Sequence, residues 1–164
     1  LENLLNQISV SGSEENGQRV LREHMEQYAD EIRTDEIGDV ICVLNPESPV
    51  RIMLSAHADE IGLVVTRITE EGRIQAIERG GIMTHNYPVQ KVQICTKKGI
   101  VYGVVECSRE LLKKETVKAA DLLIDIGAVS KEDALQHVSL GDTVVLDSGI
   151  RNRKHQKGHI NLTV

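Results

Sequence analysis

The chain has no phenylalanine and no tryptophan, and its aromatic complement is Tyr28, Tyr87 and Tyr102. Base-stacking platforms and aromatic sugar-binding clefts are built from such rings, so both lose most of their material. The core must rest on Ile, Val, Leu and Ala instead. Cysteine is equally sparse: Cys42, Cys95 and Cys107 are widely spaced, each in a Val/Ile-rich segment. That pattern suits small buried thiols in a reducing compartment better than a disulfide framework. No apolar run approaches the roughly 20 residues needed to span a bilayer, and Leu1-Glu2-Asn3-Leu4-Leu5-Asn6 lacks both the basic start and the apolar core of a signal segment. A cytoplasmic protein with no membrane partner is therefore expected. The surface also lacks an excess of positive charge: 25 acidic side chains face 19 basic ones, for a formal charge of -6. Following a phosphate backbone needs a basic stripe, so nucleic acid is not an expected partner.

What is present is an α/β pattern long enough, at 164 residues, for one ordinary domain or two small ones. Leu4, Leu5 and Ile8 share a helical face. Ser11-Gly12-Ser13-Glu14 offers capping-box chemistry ahead of Val20, Leu21, His24, Met25 and Tyr28, and the spacing predicts a helix over residues 13–28. The period then changes. Ile32, the run from Val40 to Leu44 and the run from Val50 to Leu54 read as strands, the last two separated by an Asn45-Pro46-Glu47-Ser48-Pro49 turn. Residues 52–56 and 61–65 are nearly continuous apolar runs, as expected of central strands covered on both faces.

Beyond Thr66 come short β segments broken by Gly, Lys and Glu, at residues 72–77, 92–95 and 99–105, which suggest a small barrel or sandwich. Residues 108–120 receive no assignment. Residues 122–127 read as a strand, Ser130 caps a brief helix, and residues 141–146 return to β. Arg151, Arg153, Lys154 and Lys157 read as a solvated basic turn.

The stretch most able to carry chemistry is Leu54-Ser55-Ala56-His57-Ala58-Asp59-Glu60-Ile61-Gly62, where an apolar run opens into groups that bind metal or move protons. In an extended segment His57 and Asp59 lie on the same side, so one imidazole nitrogen can meet a metal while the carboxylate orients the ring. A His-x-Asp pair is weak alone, and a strand-end pair hydrogen-bonded to nearby backbone fits it equally well. His24, on the apolar helix face, reads as packed. His85 reads as part of a turn, and His137 as a helix-end cation; neither these nor His155 and His159 show metal-ligand spacing. No nucleophile elbow, phosphate-cradling loop or Cys-x-x-Cys pair occurs.

Four blocks in order resemble the tetrahedral (TET) aminopeptidase family, which includes glutamyl aminopeptidases. They are Ser11-Gly12-Ser13-Glu14-Glu15, Asp35-Glu36-Ile37-Gly38-Asp39-Val40, Ala56-His57-Ala58-Asp59-Glu60-Ile61-Gly62 and Ile124-Asp125-Ile126-Gly127-Ala128. The resemblance implies a peptidase domain of α/β type over residues 1–66. A β-rich, barrel-like insert at 67–153 would interrupt it and make homo-oligomer contacts, with re-entry at 154–164. It also implies removal of single residues from peptide N-termini with two divalent ions, zinc or cobalt. His57 is then a metal ligand, and Asp59 is the catalytic carboxylate that supports it. The family's bridging Asp, paired Glu including the general base, and later Asp and His ligands have no counterpart in this sequence, so the 164 residues are expected to be inactive alone. The alternative expectation is a non-catalytic association module built on the β-rich insert.

Overall fold

The computed structural model describes residues 2–148. The basic turn expected at residues 151–157, His155, His159 and the re-entry at 154–164 lie outside the described residues. Two compact units divide the chain: residues 1–9 with 13–59, and residues 10–12 with 60 onward.

In the first unit, α1 (Glu2–Leu5) is followed by α2 (Glu15–Met25) and a two-stranded antiparallel hairpin of β1 (Glu31–Thr34) and β2 (Val40–Val43). α2 lies within the expected helix of residues 13–28 and is shorter at both ends. The capping box does not form, because the helix starts at Glu15, with Glu14 at the N-cap and no side-chain capping bond. Gly12, at φ +90°, turns the chain just before it, a conformation a side chain at that position would resist. The hairpin turn is built by Asp35, whose Oδ1 accepts from the backbone N–H of Ile37 (3.1 Å) and Asp39 (2.8 Å). Gly38 supplies the positive φ that this turn requires. Gln18 of α2 donates to the Gly38 carbonyl at 2.7 Å, and Arg22 donates to Thr34 Oγ1 at 2.8 Å, so polar contacts tie helix to hairpin.

Two further expectations fail in this unit. Residues 52–56, predicted as a doubly covered strand, have no regular structure, and Ile52, Met53 and Leu54 are 84%, 88% and 94% exposed. Apolar continuity creates a strand only where a neighbour takes up its N–H and C=O groups, and no strand among the described residues pairs with this run. His24, predicted to be packed, is exposed, with its ring edge-on to Tyr28 at 5.6 Å between centroids. The helix shelters only a narrow stripe, with Val20, Leu21 and Met25 half-buried and His24 exposed.

The second unit is a closed antiparallel barrel. Its strands are β3 (Gly62–Ile68), β4 (Ile74–Arg79), β5 (Lys91–Thr96), β6 (Gly99–Val105), β7 (Ile124–Asp125) and β8 (Thr143–Leu146), in the order β3-β4-β7-β6-β5-β8. The β8–β3 pairing, Leu63 opposite Val144, closes it. The run at 61–65 thus does enter a strand, from Gly62 onward, but one in a barrel rather than in a layered sheet. Strand alternation explains the core. In β5, Val92 and Ile94 point inward at zero exposure between outward Lys91, Gln93 and Cys95. Leu63, Val65, Ile74, Val105, Ile124 and Val144 complete the interior.

The unassigned stretch at 108–120 turns out to plug this interior. Ser108 caps α3 (Arg109–Leu112) by accepting from the Leu111 N–H at 3.0 Å, and Leu111, Val117 and Ala119 are buried in the core. α4 (Lys131–His137) is capped by Ser130 as expected and adds Ala134. The strand expected at 122–127 shortens to two residues. Gly127 takes φ +83°, and beside it Arg73 gathers the chain by donating to the Glu106 carboxylate and to the Ala128 carbonyl (3.3 Å), with Asp125 3.4 Å away. The thiols also depart from expectation: Cys42 and Cys95 are half-buried and Cys107 is exposed, because Cys107 follows the end of β6 rather than lying within it.

Candidate functional site

His57 and Asp59 lie on the irregular segment that follows the exposed apolar run. His57 Nδ1 is 2.9 Å from Asp59 Oδ1 and 3.0 Å from the Asp59 backbone carbonyl. Both neighbours are acceptors, so the ring nitrogen donates, which selects the tautomer carrying its lone pair on Nε2. The His57 side chain is 85% exposed and that of Asp59 is 34% exposed. The carboxylate is thus half-sheltered at the base of the pair while the imidazole reaches outward. This is the orientation in which a carboxylate fixes the rotation and tautomer of a ring.

A residue that sequence reasoning missed shapes the ground beneath this segment. Gly17 is the one buried residue of α2, and a Cβ there would stand 2.3 Å from Ser9 Oγ and 3.8 Å from the Ala58 carbonyl. Glycine inside a helix costs about 1 kcal/mol relative to alanine. Its presence in the first turn of α2 was the available signal that something approaches closely.

The other expected positions stay apart. His85 is exposed in a 3-10 turn at Thr84–Asn86, and His137 ends α4, 3.9 Å from Asp133. Among the described residues no group of three or more His, Cys, Asp or Glu side chains could hold a metal ion. His57 and Asp59 fit one ligand and its support, but they fall short of the three or four donors that a catalytic ion requires. Among the described residues, too, no helix is long and apolar enough to cross a membrane.

Residues 38–160 match the family described as M42 glutamyl aminopeptidase. The chain belongs to this family. Over 141 residues it is 30% identical to a lysyl aminopeptidase of Pyrococcus furiosus, a match that takes in 82% of this chain and 40% of that protein. Among solved structures it resembles a TET aminopeptidase from a marine sediment archaeon, Thaumarchaeota archaeon SCGC AB-539-E09. That match has 32% identity and a TM-score of 0.82, and covers 92% of this chain and 44% of the other. A third relative is the TET1 peptidase of Pyrococcus horikoshii, described as able to assemble into a tetrahedron or a large octahedral shell. Here identity is 34% and TM-score 0.80, with 91% of this chain and 46% of the other covered. This M42 chain thus spans less than half the length of each of these relatives.

Proposed function

We propose that this sequence forms the N-terminal portion of a cytoplasmic, metal-dependent aminopeptidase that releases residues from the N-termini of peptides. The observation that carries the reading is the 2.9 Å His57–Asp59 pair, in a chain of the M42 glutamyl aminopeptidase family. In this reading residues 1–66 begin a peptidase domain, residues 67–153 are a β-rich oligomerisation insert, and residues 154–164 return to the peptidase domain. His57 offers Nε2 to one of two divalent ions, zinc or cobalt, and Asp59 holds the ring in the tautomer that permits it. The chemistry such ions supply when bound is acidification of the attacking water and polarisation of the scissile carbonyl.

The chain alone is inactive in this reading, because two side chains cannot complete a dinuclear site or supply its general base. Association through the barrel is supported by the outward stripe of β6, where Ile100, Tyr102 and Val104 remain exposed. The assembly described for the TET1 peptidase points the same way.

The test is amino-acid release from unblocked peptides and from their N-acetylated counterparts, with zinc or cobalt added. The purified 164-residue chain should give no turnover. A protein in which this sequence is joined to the remainder of a family member should cleave the unblocked peptides only. Turnover of blocked peptides by the joined protein, or metal-dependent turnover by the chain alone, would overturn the reading.

A further inference from the structure

The barrel closes between β4 and β6 through β7, which is only two residues long. β7 meets β6 at Asp125 opposite Val104 and Ile124 opposite Val105, whereas β5 lines β6 all the way from Val104 to Gly99. Beyond Asp125 the chain leaves this line. The Gly127 N–H turns back to Asp125 Oδ1 at 2.8 Å, Gly127 takes φ +83°, and the Ala128 carbonyl accepts from Arg73 at 3.3 Å, close beside Gly72. Residues 99–103 of β6 therefore have no strand partner on that side among the described residues.

Strand alternation shows which groups this leaves open. Val105 donates to the Gln90 carbonyl and accepts from the Val89 N–H, just ahead of β5, while Glu106 donates to Leu123, just ahead of β7. Successive residues thus send their backbone groups to opposite neighbours, so Tyr102 and Ile100 direct theirs into the space that β7 vacates. Neither finds a backbone partner there among the described residues. A cavity of about 530 Å³ lies at this point, lined by Tyr102, Gly103 and Val104 of β6 and by Asp125, Ile126 and Gly127. That volume falls within the range of ligand sites, about 300–1,000 Å³.

We propose that this open stretch of β6 binds an extended peptide, which pairs with Tyr102 and Ile100 along the line that β7 abandons. An edge of alternating N–H and C=O groups is matched along its length by another backbone, and a compact molecule or an ion matches it poorly. Tyr102 and Ile100 also hold exposed side chains on the outer face. Directly opposite side chains pack together, so the peptide carries apolar, β-branched residues at alternate positions. Lys91, Asp125 and Asp147 bring both signs of charge to the cavity, so the net charge of the peptide is secondary. Ile126 and Gly127 leave room for a single strand, and the same wall on a second copy obstructs pairing between two such edges. Peptides are also the substrates in the aminopeptidase reading, but this binding needs neither metal nor catalysis and stands without it.

Hydrogen exchange on the 164-residue chain, alone and with the blocked peptide acetyl-Val-Thr-Val-Thr-Lys-amide, tests this. Alone, the amides of Ile100 and Tyr102 should exchange faster than those of Val101 and Gly103, which face β5. Saturating peptide should slow the first two by about tenfold or more and leave β3 and β8 unchanged. The same peptide N-methylated at every residue should neither bind nor protect. Tyr102→Thr keeps a β-branched residue in β6 but removes the ring, and should weaken binding by about two- to fivefold. Equal protection by the N-methylated peptide overturns the inference, as does peptide binding that leaves Ile100 and Tyr102 fast. Absence of binding at millimolar peptide, or unchanged affinity in Tyr102→Thr, overturns it as well. So does slow exchange at both amides in the chain alone, and if that protection grows with protein concentration the edge belongs to a second copy instead.

Discussion

The imidazole of His57 and the carboxylate of Asp59 meet at 2.9 Å across a single intervening residue, with the ring nitrogen donating. This fixes the expected protonation pattern of the isolated chain. Long-range nitrogen–proton NMR spectra should show His57 protonated on Nδ1, with Nε2 carrying the lone pair. Asp59→Ala should return the ring to the Nε2-protonated majority of a free histidine. In a zinc-loaded assembly containing this sequence, Asp59→Ala should also weaken metal retention by roughly 10- to 100-fold. An unchanged tautomer in the variant would mean that the carboxylate does not orient the ring.

The barrel interior sets a second expectation. Ile94 and Ile124 have 0% and 1% exposure and sit on β5 and β7. Truncating either to Ala should cost about 2–5 kcal/mol, from lost transfer energy plus an unfilled cavity. Urea unfolding monitored by far-ultraviolet circular dichroism measures this, and a cost under about 1 kcal/mol at both positions would contradict the packing described.

Gly103 faces the short strand β7 so closely that a Cβ would stand 2.8 Å from Ile124 Cγ2 and 3.0 Å from the Asp125 carbonyl. Half of that contact is backbone, which cannot rotate away. Gly103→Ala should therefore pry β6 from β7, and amides 124 and 125 should exchange faster while those of β5 keep their protection. Uniform acceleration throughout the barrel would instead indicate global destabilisation.

Acid should weaken the barrel unit through identifiable carboxylates. The Asp121 carboxyl is held below its ordinary value chiefly by the hydrogen bond from Lys114, at 2.5 Å, and then by the Lys118 backbone N–H at 2.9 Å. Glu132 is lowered chiefly by its own backbone N–H at the start of α4, and then by Ser130. A lowered folded-state value binds fewer protons than the unfolded chain. The stabilisation is thus fully present above the ordinary carboxylate range, about pH 4, and is lost as pH falls through the depressed values. The thermal midpoint should be level between about pH 7 and pH 5 and fall below about pH 4. In Asp121→Asn the neutral-pH midpoint should drop slightly and the acid fall should become shallower. An identical acid limb in variant and parent would remove Asp121 from this account.

Much of the barrel was legible in the sequence because its strands alternate. Val92 and Ile94 between Lys91, Gln93 and Cys95 declare one buried face, and the pattern survives whatever the neighbours are. Ser130 and Ser108 both cap helices, although only the first was anticipated, since the second lies in a charge-rich stretch whose buried Leu111, Val117 and Ala119 follow no single period. The His57–Asp59 pairing was legible because two side chains two residues apart can reach each other locally, whatever the neighbours are. Gly17 was not, because its role depends on Ser9 and Ala58 arriving at the same place from outside the helix.

By itself, the sequence determined which barrel segments alternate, where the Ser130 cap falls, and which two side chains meet at the candidate site, because each depends on neighbours within a few residues. Tertiary structure alone decided that residues 62–68 serve a barrel, that α3 and its flanks plug it, and that the apolar run at 52–56 has no regular structure. The reason is physical: alternation and capping are satisfied locally, whereas a strand exists only when another strand takes its hydrogen bonds, and no residue of the run itself can supply one.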